Sequence, residues 1–535
     1  MKSLMKKVFA AAAAIATVFG LAATTVATAN AADNATLTVS TTDAKFAGKT
    51  VNAYKMFSAT VSGDGGSKAV SYTLTDAWKP FFKNSTASGL TGATDENVND
   101  KANDYVSKLK GEDLVAFATK ASNWAQTKTN GIMAGATAMV SADATNGSYT
   151  ATFTDLDYGY YVVAVPGATL ANASGQYATL VSVDSTNVNT NIKGDLPTVD
   201  KKVQVGGTGK DATDAKIGDT LTFTLTSTIP DMSAYDTYTY TFNFKDTLSQ
   251  GLTFGQVTSV TVDGVTDPLT VNTDYTVTTP TTSDNTLTVS MKDFKKQQAN
   301  AGKKITVTYT ATLNKDAVVG GHGNTNSATI QYSNNPSSGG TGESEPSKVR
   351  VFTYGFTVDK YTGDKYDDDA TRLAGAEFTL APKNGTAMSF VQVDAGSATA
   401  NAVYRVAKAG ETDTTTTITT PANGKVVFQG LENGEYTLTE TKAPAGYNKL
   451  ASAIGVKVDG KNDGTDTTDA TVAITYNNDN GNSYNQTASN GVIPVQNKSG
   501  AILPGTGGMG TIAFTVIGVL VIALGVAWTL KRKNA

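Results

Sequence analysis

Short stretches in which apolar and polar residues alternate, each closed by a turn former, set the tightest limit on what this chain can fold into. Thr220–Thr226, Thr237–Phe244 and Lys304–Leu313 are of this kind. A side-chain period of two puts every second residue on one face of a strand, and apolar residues at helical spacing are few. Fifty-one glycines, with abundant threonine, valine and asparagine, supply turns and strand formers. The chain therefore reads as all-β, and its 535 residues suggest two or three domains.

Both termini point out of the cytoplasm. Lys2, Lys6 and Lys7 precede the apolar stretch Val8–Ala23 and the small-x-small site Ala29-Asn30-Ala31. Residues 1–31 thus read as a signal peptide, and the mature chain begins at Ala32 or Asp33. At the other end Leu503-Pro504-Gly505-Thr506-Gly507 comes before a charge-free apolar run, Thr511 to Leu530, and then Lys531-Arg532-Lys533. At about 1.5 Å per residue that run spans about 30 Å, the length of a transmembrane helix, and the basic tail stays cytoplasmic. Residues 501–535 resemble the sorting signal of Gram-positive surface proteins. In that signal a sortase cuts between the Thr and the following Gly, here Thr506 and Gly507, and passes the Thr carbonyl to an amine. Everything between the two ends is exported, which excludes a cytoplasmic enzyme.

Composition removes further classes. With no cysteine, no disulfide staples the exported chain. The single histidine, His322, sits in Gly320-Gly321-His322-Gly323, a poor platform for a catalytic triad or a metal site. No metal and no cofactor are expected. A net charge of −4 without a basic patch argues against nucleic acid as a partner. Asp364–Asp369 lacks the glycine and closing glutamate of a calcium loop and reads as a solvated turn.

Three domains emerge along the chain. Residues 32–196 hold strand-like runs such as Thr36–Thr41 and Val51–Phe57 around a more helical middle, Asp104–Gln126. There Val106, Leu109, Leu114, Phe117, Ala118 and Trp124 fall near helical spacing and read as core. Residues 197–350 open at Pro197 and contain the alternating runs named above, closing behind the polar linker Asn334–Ser347. Residues 351–500 carry strands at Gly355–Lys360, Ala376–Leu380, Lys425–Phe428 and Tyr436–Glu440. Short alternating strands with turns at about 8–12-residue spacing fit tandem immunoglobulin-like sandwiches, the first carrying a helical insertion.

The segment Tyr436-Thr437-Leu438-Thr439-Glu440-Thr441-Lys442-Ala443-Pro444-Ala445-Gly446-Tyr447 resembles the E-box of B-type collagen-adhesin domains. Together with the sorting signal, it makes the whole exported chain resemble a shaft (backbone) pilin of Gram-positive sortase-assembled pili. The resemblance implies a structural subunit rather than an enzyme in turnover, located in a fimbrium on the cell wall. It also implies as partners a class C pilin sortase, a housekeeping sortase, further pilin subunits joined head to tail and peptidoglycan, with host matrix or glycans as possible adhesion ligands.

In such families a Lys amine attacks an Asn carboxamide, ammonia leaves, and an intramolecular isopeptide bond forms. Burial favours the neutral amine that attacks and the protonated carboxyl that polarises the amide and shuttles protons. Lys, Asn and an acid must then face one dry core. In residues 351–500, Lys360 shares a strand face with Phe356 and Val358, Glu440 with Tyr436 and Leu438, and Asn497 with Ile493 and Val495. Lys360–Asn497 with Glu440 is the expected bond. In residues 197–350, taken as A-type, Lys201 shares a face with Val199. The segment Phe244–Leu252 resembles the family's Asp-bearing strand, and Asn326 precedes the strand Ala328–Tyr332. Lys201–Asn326 with Asp246 is expected, with Lys202 and Asn324 as alternatives, since a one-residue slip exchanges faces. In residues 32–196, Leu156–Tyr161 parallels Leu431–Tyr436, and counting on puts Val165 where Glu440 stands, so no bond of this type is expected.

Polymerisation needs an exposed lysine, which in shaft pilins ends the first domain within a Tyr-Pro-Lys motif. Here the corresponding residue is Lys193, preceded by Asn191-Ile192 in place of Tyr-Pro. Under this reading Thr506 of one subunit is joined to Lys193 of the next. One alternative is a monomeric wall-anchored, matrix-binding adhesin of the same domains. Another is a wall-anchored hydrolase, which needs two carboxylates facing across a cleft.

Overall fold

The computed structural model describes residues 34–63, 68–143, 147–168, 178–235, 239–335, 339–366, 368–462, 464–477 and 483–500, with isolated helical residues at 518, 519, 521, 522, 524 and 528. The stretch read as a signal peptide, the expected sorting motif Leu503–Gly507 and most of the apolar run lie outside the described residues. No helix among the described residues is long and apolar enough to cross a membrane. The chain divides into two compact units, Met1–Thr353 with Lys461–Thr471, and Tyr354–Gly460 with Val472–Ala535.

Unit 1 contains two pairs of sheets. The first pair begins with a four-stranded sheet ordered Ser141–Asp143, Ser148–Leu156, Ala35–Thr41, Asn187–Asn191. Its partner runs Ala69–Leu74, Thr50–Ser62, Gly159–Ala164, Ala178–Val183, with Ala136–Met139 added to Thr50–Ser62. Every residue of Gly159–Ala164 is buried, because this strand is covered on both faces. One cover is the helical insertion. Phe117, Ala118, Ala121 and Ala125 form the inner stripe of the helix Gly111–Gln126, and Val98, Ala102 and Val106 that of Val98–Lys108. Both stripes close over Phe57, Tyr72, Tyr160 and Val162. Each large apolar side chain so buried contributes about 2 kcal/mol.

The helical middle differs from the uninterrupted pattern in the sequence. Leu109 and Lys110 are extended and Gly111 has φ of 53°, a left-handed conformation that glycine adopts without strain. The chain breaks there into two helices. The second starts with Glu112 and Asp113 in its first turn, where acidic groups favour the helix dipole. Two short helices, Lys79–Lys83 and Ser85–Ser88, were not legible from periodicity. They seat Phe81 and Phe82 against Phe117.

The second pair of sheets encloses a long, continuous core. One sheet is ordered Thr208–Lys210, Asp200–Val205, Thr220–Thr228, Lys304–Leu313, Leu252–Val262. The other is ordered Ala212–Asp214, Ser347–Phe352, Asn324–Asn335, Phe242–Leu248, Thr286–Met291, Tyr275–Thr278, with Gly340–Glu343 paired to Asn324–Asn335. Two sequence readings shift here. The strand expected at Thr237–Phe244 runs from Phe242 to Leu248. The polar stretch expected to be a linker, Asn334–Ser347, instead contributes paired strand residues, because Gly340–Glu343 folds back on Gln331–Asn335 and Ser347–Phe352 adds to the sheet.

Unit 2 is one sandwich. Its first sheet is ordered Thr414–Thr415, Phe390–Asp394, Ala402–Val406, Lys425–Leu431, Tyr354–Tyr361, Val492–Gln496. Its second contains Glu377–Pro382, Gly434–Lys442 and Ile454–Lys461 as neighbours. Val492–Gln496 lies at a sheet edge, and among the described strands it pairs, in parallel, with Tyr354–Tyr361.

Candidate functional site

Two clusters of buried polar side chains occupy the centres of the second and third sandwiches. In the second, the strand Asp200–Val205 alternates so that Lys201 and Val203 face inward. Lys202 faces out and pairs with Asp211 at 2.6 Å, so Lys201 is the inward-facing lysine of this strand. Asn324 and Asn326 lie two apart on the same inward face of Asn324–Asn335, and neither precedes the strand. Asn324 is spoken for. Its Oδ1 accepts from Val318 N at 2.8 Å, and its Nδ2 donates to the carbonyls of Val318 and Val351, each at 3.1 Å.

Lys201, Asp246 and Asn326 are each 0% exposed. Lys201 Nζ is 2.6 Å from Asp246 Oδ2 and donates to the Tyr309 hydroxyl at 2.8 Å. Tyr309 in turn donates to Asp246 Oδ2 at 2.5 Å and accepts from Asn326 Nδ2 at 2.6 Å. Phe223 and the Tyr309 ring flank the amine, both with centroids 5.1 Å away. Burial pulls the Lys201 amine down to about 8, against the opposing attraction of Asp246. Burial and the Asp246 charge push the Tyr309 phenol well above its ordinary value. Asp246 Oδ1 and Asn326 Oδ1 have no hydrogen-bond partner, and buried oxygens so left are costly unless chemistry uses them.

In the third sandwich Lys360 is 0%, Asn497 1% and Glu440 2% exposed. Lys360 stands opposite Val495 in the parallel pair, so Asn497 is its diagonal neighbour on the same face. Lys360 Nζ lies 3.4 Å from Glu440 Oε1 and donates to the Val495 carbonyl at 3.1 Å. Asn497 Nδ2 donates to Glu440 Oε2 at 3.1 Å and to the Asn448 carbonyl at 2.8 Å. Leu450 N also donates to Oε2, at 2.7 Å. The E-box turn supplies these last partners: Gly446, at φ of 87°, swings Asn448 and Leu450 back over Glu440. Burial again brings the lysine down to about 8, opposed by Glu440. Glu440 Oε1, beyond its ion pair with Lys360, and Asn497 Oδ1 accept no hydrogen bond.

Each cluster holds what amide exchange requires: a buried amine, a carboxyl able to take its proton, and a carboxamide whose carbonyl is unengaged. The clusters differ in topology. Lys360 and Asn497 sit on neighbouring strands of one sheet with the acid opposite, whereas Lys201 faces Asp246 and Asn326 from the other sheet. Sequence reasoning missed Tyr309, Asn448 and Leu450. Tyr309 was within reach, since Ile305, Val307, Tyr309, Ala311 and Leu313 are the inward residues of Lys304–Leu313 and only Tyr309 among them is polar.

The first sandwich follows the plan of the third without its chemistry. Ala35–Thr41 pairs antiparallel with Ser148–Leu156 and parallel with Asn187–Asn191, as Tyr354–Tyr361 does with Lys425–Leu431 and Val492–Gln496. Tyr161 Oη donates to the Asp157 carbonyl at 2.7 Å and Tyr436 Oη to the Glu432 carbonyl at 2.8 Å, the same corner four residues back. In this register Thr41 stands at the Lys360 position, Gly194 at that of Asn497 and the buried Val165 at that of Glu440. Lys55, the strand lysine, reaches the exposed Asp157 at 2.7 Å.

Lys193 follows the edge strand Asn187–Asn191 and is half-buried. It lines a narrow slot with Val39, Val51, Val163 and Val165. Neighbouring Lys45 is engaged by both Asp43 and Asp195; Lys193 has no ion-pair partner among the described residues. His322 is 84% exposed, and no group of three or more His, Cys, Asp or Glu side chains among the described residues could hold a metal ion.

Known proteins share these domains. A family model for the "Gram-positive pilin backbone subunit 2, Cna-B-like domain" matches residues 217–336, and one for the "SpaA: Prealbumin-like fold domain" matches 359–473. The first description is B-like, where the sequence reading of that region was A-type. The trypsin-resistant surface T6 protein of Streptococcus pyogenes serotype M6 is 26% identical over 274 residues, 48% of this chain and 44% of that protein. The chain thus matches a little under half of that relative's length. Among solved structures, the three-domain T6 backbone pilin of S. pyogenes aligns with 88% of this chain and 100% of its own (17% identity, TM-score 0.46). The full-length major pilin SpaD of Corynebacterium diphtheriae aligns with 88% and 98% (20% identity, TM-score 0.41). Residues 217–336 and 359–473 thus match a Gram-positive pilin backbone domain and a SpaA prealbumin-like domain.

Proposed function

We propose that this chain is the shaft subunit of a sortase-assembled pilus. Subunits are joined from the Thr506 carbonyl to Lys193 of the next and the last is attached to peptidoglycan. Each subunit is internally stapled by Lys201–Asn326 and Lys360–Asn497 bonds, formed once with Asp246 and Glu440 as proton carriers. A class C sortase performs the joining and a housekeeping sortase the wall attachment. The observation that carries the reading is the pair of dry Lys–acid–Asn clusters inside domains of the pilin-backbone families. A polymer under tension needs covalent ties of this kind, and the chain has no cysteine to supply them. Lys193 supports the polymerisation step as a partly exposed amine, with no ion-pair partner among the described residues, at the end of the first sandwich.

Wall extracts probed by immunoblot test the joining. The expected result is a ladder of high-mass species that collapses to a single wall-bound band when Lys193 is replaced by Ala. A single band from the unaltered chain makes the protein a monomeric adhesin, and a ladder that survives Lys193→Ala moves the nucleophile to another lysine.

A further inference from the structure

The two clusters solve the same problem with acids of different length. Glu440 reaches both reacting groups itself, through Oε1 to the Lys360 amine and through Oε2 to the Asn497 carboxamide. Asp246, one methylene shorter, reaches the Lys201 amine, but among the described residues no hydrogen bond joins it to Asn326. The gap is filled by one atom. The Tyr309 hydroxyl has one proton and two lone pairs, and all are used: it donates to Asp246 and accepts from Lys201 and from Asn326. It touches both the attacking nitrogen and the leaving nitrogen. Among the described residues no side-chain hydroxyl hydrogen-bonds to the Lys360 amine or the Asn497 carboxamide.

We propose that Tyr309 is a catalytic residue of bond formation in the second sandwich, a proton relay that lets an aspartate do what the longer Glu440 does alone. The inference rests on the reading that Lys201 and Asn326 become joined. The Lys201 ammonium first gives a proton to Asp246 Oδ2, leaving a neutral amine beside a neutral acid. The amine attacks Asn326 Cγ, and the carbonyl electron pair moves onto Oδ1. As the Cγ–Nδ2 bond breaks, Nδ2 takes the Tyr309 proton and leaves as ammonia. The phenolic oxygen is re-protonated from Nζ, which became cationic on attack. The products are the Nζ–Cγ amide and ammonia, with Tyr309 restored and Asp246 holding the proton it took first.

The ring has a second role, which the test must set aside: it stacks on Phe223 with centroids 5.3 Å apart. Tyr309→Phe keeps the ring and the stack and removes only the hydroxyl. The full-length chain is pulse-labelled during synthesis, sampled through a chase and digested. Peptides joined through Lys201–Asn326 and through Lys360–Asn497 are then quantified by mass. The expected result is that Tyr309→Phe slows Lys201–Asn326 joining by about a hundredfold, the scale of positioned proton transfer, while Lys360–Asn497 joining keeps its rate and reports correct folding. Adding Asp246→Glu restores joining, because the longer acid reaches both partners directly. Joining in Tyr309→Phe at the parent rate overturns the relay. So does a joining loss that Asp246→Glu fails to restore, which marks the hydroxyl as a packing element. If the parent itself yields no Lys201–Asn326 peptide, the underlying assignment fails, and the relay with it.

Discussion

A buried lysine flanked by Phe223 and Tyr309 is under opposing pressures. Desolvation disfavours its charge, while Asp246 at 2.6 Å favours it. Desolvation is the larger, so the amine titrates near 8 rather than 10.5. In the joined protein this group is an amide and does not titrate. The consequence appears when joining is blocked. In Asn326→Ala the amine stays free. Between about pH 8 and 10.5 the unfolded chain binds more protons at Lys201 than the folded one, so stability rises with pH across that window. Below pH 8 both states are protonated and the penalty is full. We expect the melting temperature of Asn326→Ala, relative to the parent, to climb from pH 8 to 10, as calorimetry on both chains can measure. A gap that stays constant or widens places the amine's titration elsewhere. Glu440→Gln tests the other acid. It is isosteric and still meets Asn497, but it cannot take the Lys360 proton. The expected outcome is a chain that retains one ammonia, about 17 Da, and, with its side chain about 1 Da lighter, weighs about 16 Da more than the parent. The lost loop restraint is worth roughly 4–5 kcal/mol by analogy with disulfides closing loops of this length. Intact mass and a denaturation midpoint read the two effects separately.

At the level of strands, the bond has most to hold in unit 2. Val492–Gln496 is five residues long, lies at an edge and has one partner strand among those described. Such strands detach most readily, and the proposed bond ties Asn497, at its end, to Lys360. In Asn497→Ala, amide exchange across Val492–Gln496 should rise by at least about tenfold, with the central pair Phe356–Phe428 little changed. Uniform exchange across both would show that the strand is held by packing alone. The same strands show what was legible beforehand. Lys201, Lys360, Glu440 and Asn497 carry a period-two signal that one strand displays by itself, whereas Asp246 was read from the resemblance and Asn326 as preceding a strand; all six are buried. What stayed hidden depends on partners far away in sequence. Asn326 could not be seen to lie mid-strand, because the pairing that extends Asn324–Asn335 comes from Phe242–Leu248 and Ser347–Phe352. Residues 79–88 are too short to show a helical period, and their helices exist because Phe81 and Phe82 find Phe117. Tyr309 sat in a correctly read strand, but its role depends on three side chains from three other strands.

Across the whole chain, the proposed linkage defines which residues bear load. Tension enters a subunit at Lys193 and leaves at Thr506, so everything before Lys193, including the sandwich from Ala35 to Asn191, lies off the path. That accounts physically for Thr41, Val165 and Gly194 standing where the third sandwich has Lys360, Glu440 and Asn497: a domain that carries no tension needs no tie. On the path, the two bonds bypass residues 201–326 and 360–497. Only 193–201, 326–360 and 497–506 can then extend, about 50 residues, or about 180 Å at roughly 3.5 Å per residue. The unbridged path from 193 to 506 extends to about 1,100 Å on the same basis. Single-molecule stretching of the full-length chain, held at positions 193 and 506, distinguishes the two. The parent should gain no more than the shorter length before rupture, and Lys201→Ala should add a step of about 440 Å as residues 201–326 unravel. Adding Lys360→Ala should add a further step of about 480 Å from residues 360–497. A parent that releases the longer length under modest force has no covalent bypass, and the explanation for the unbridged first sandwich falls with it.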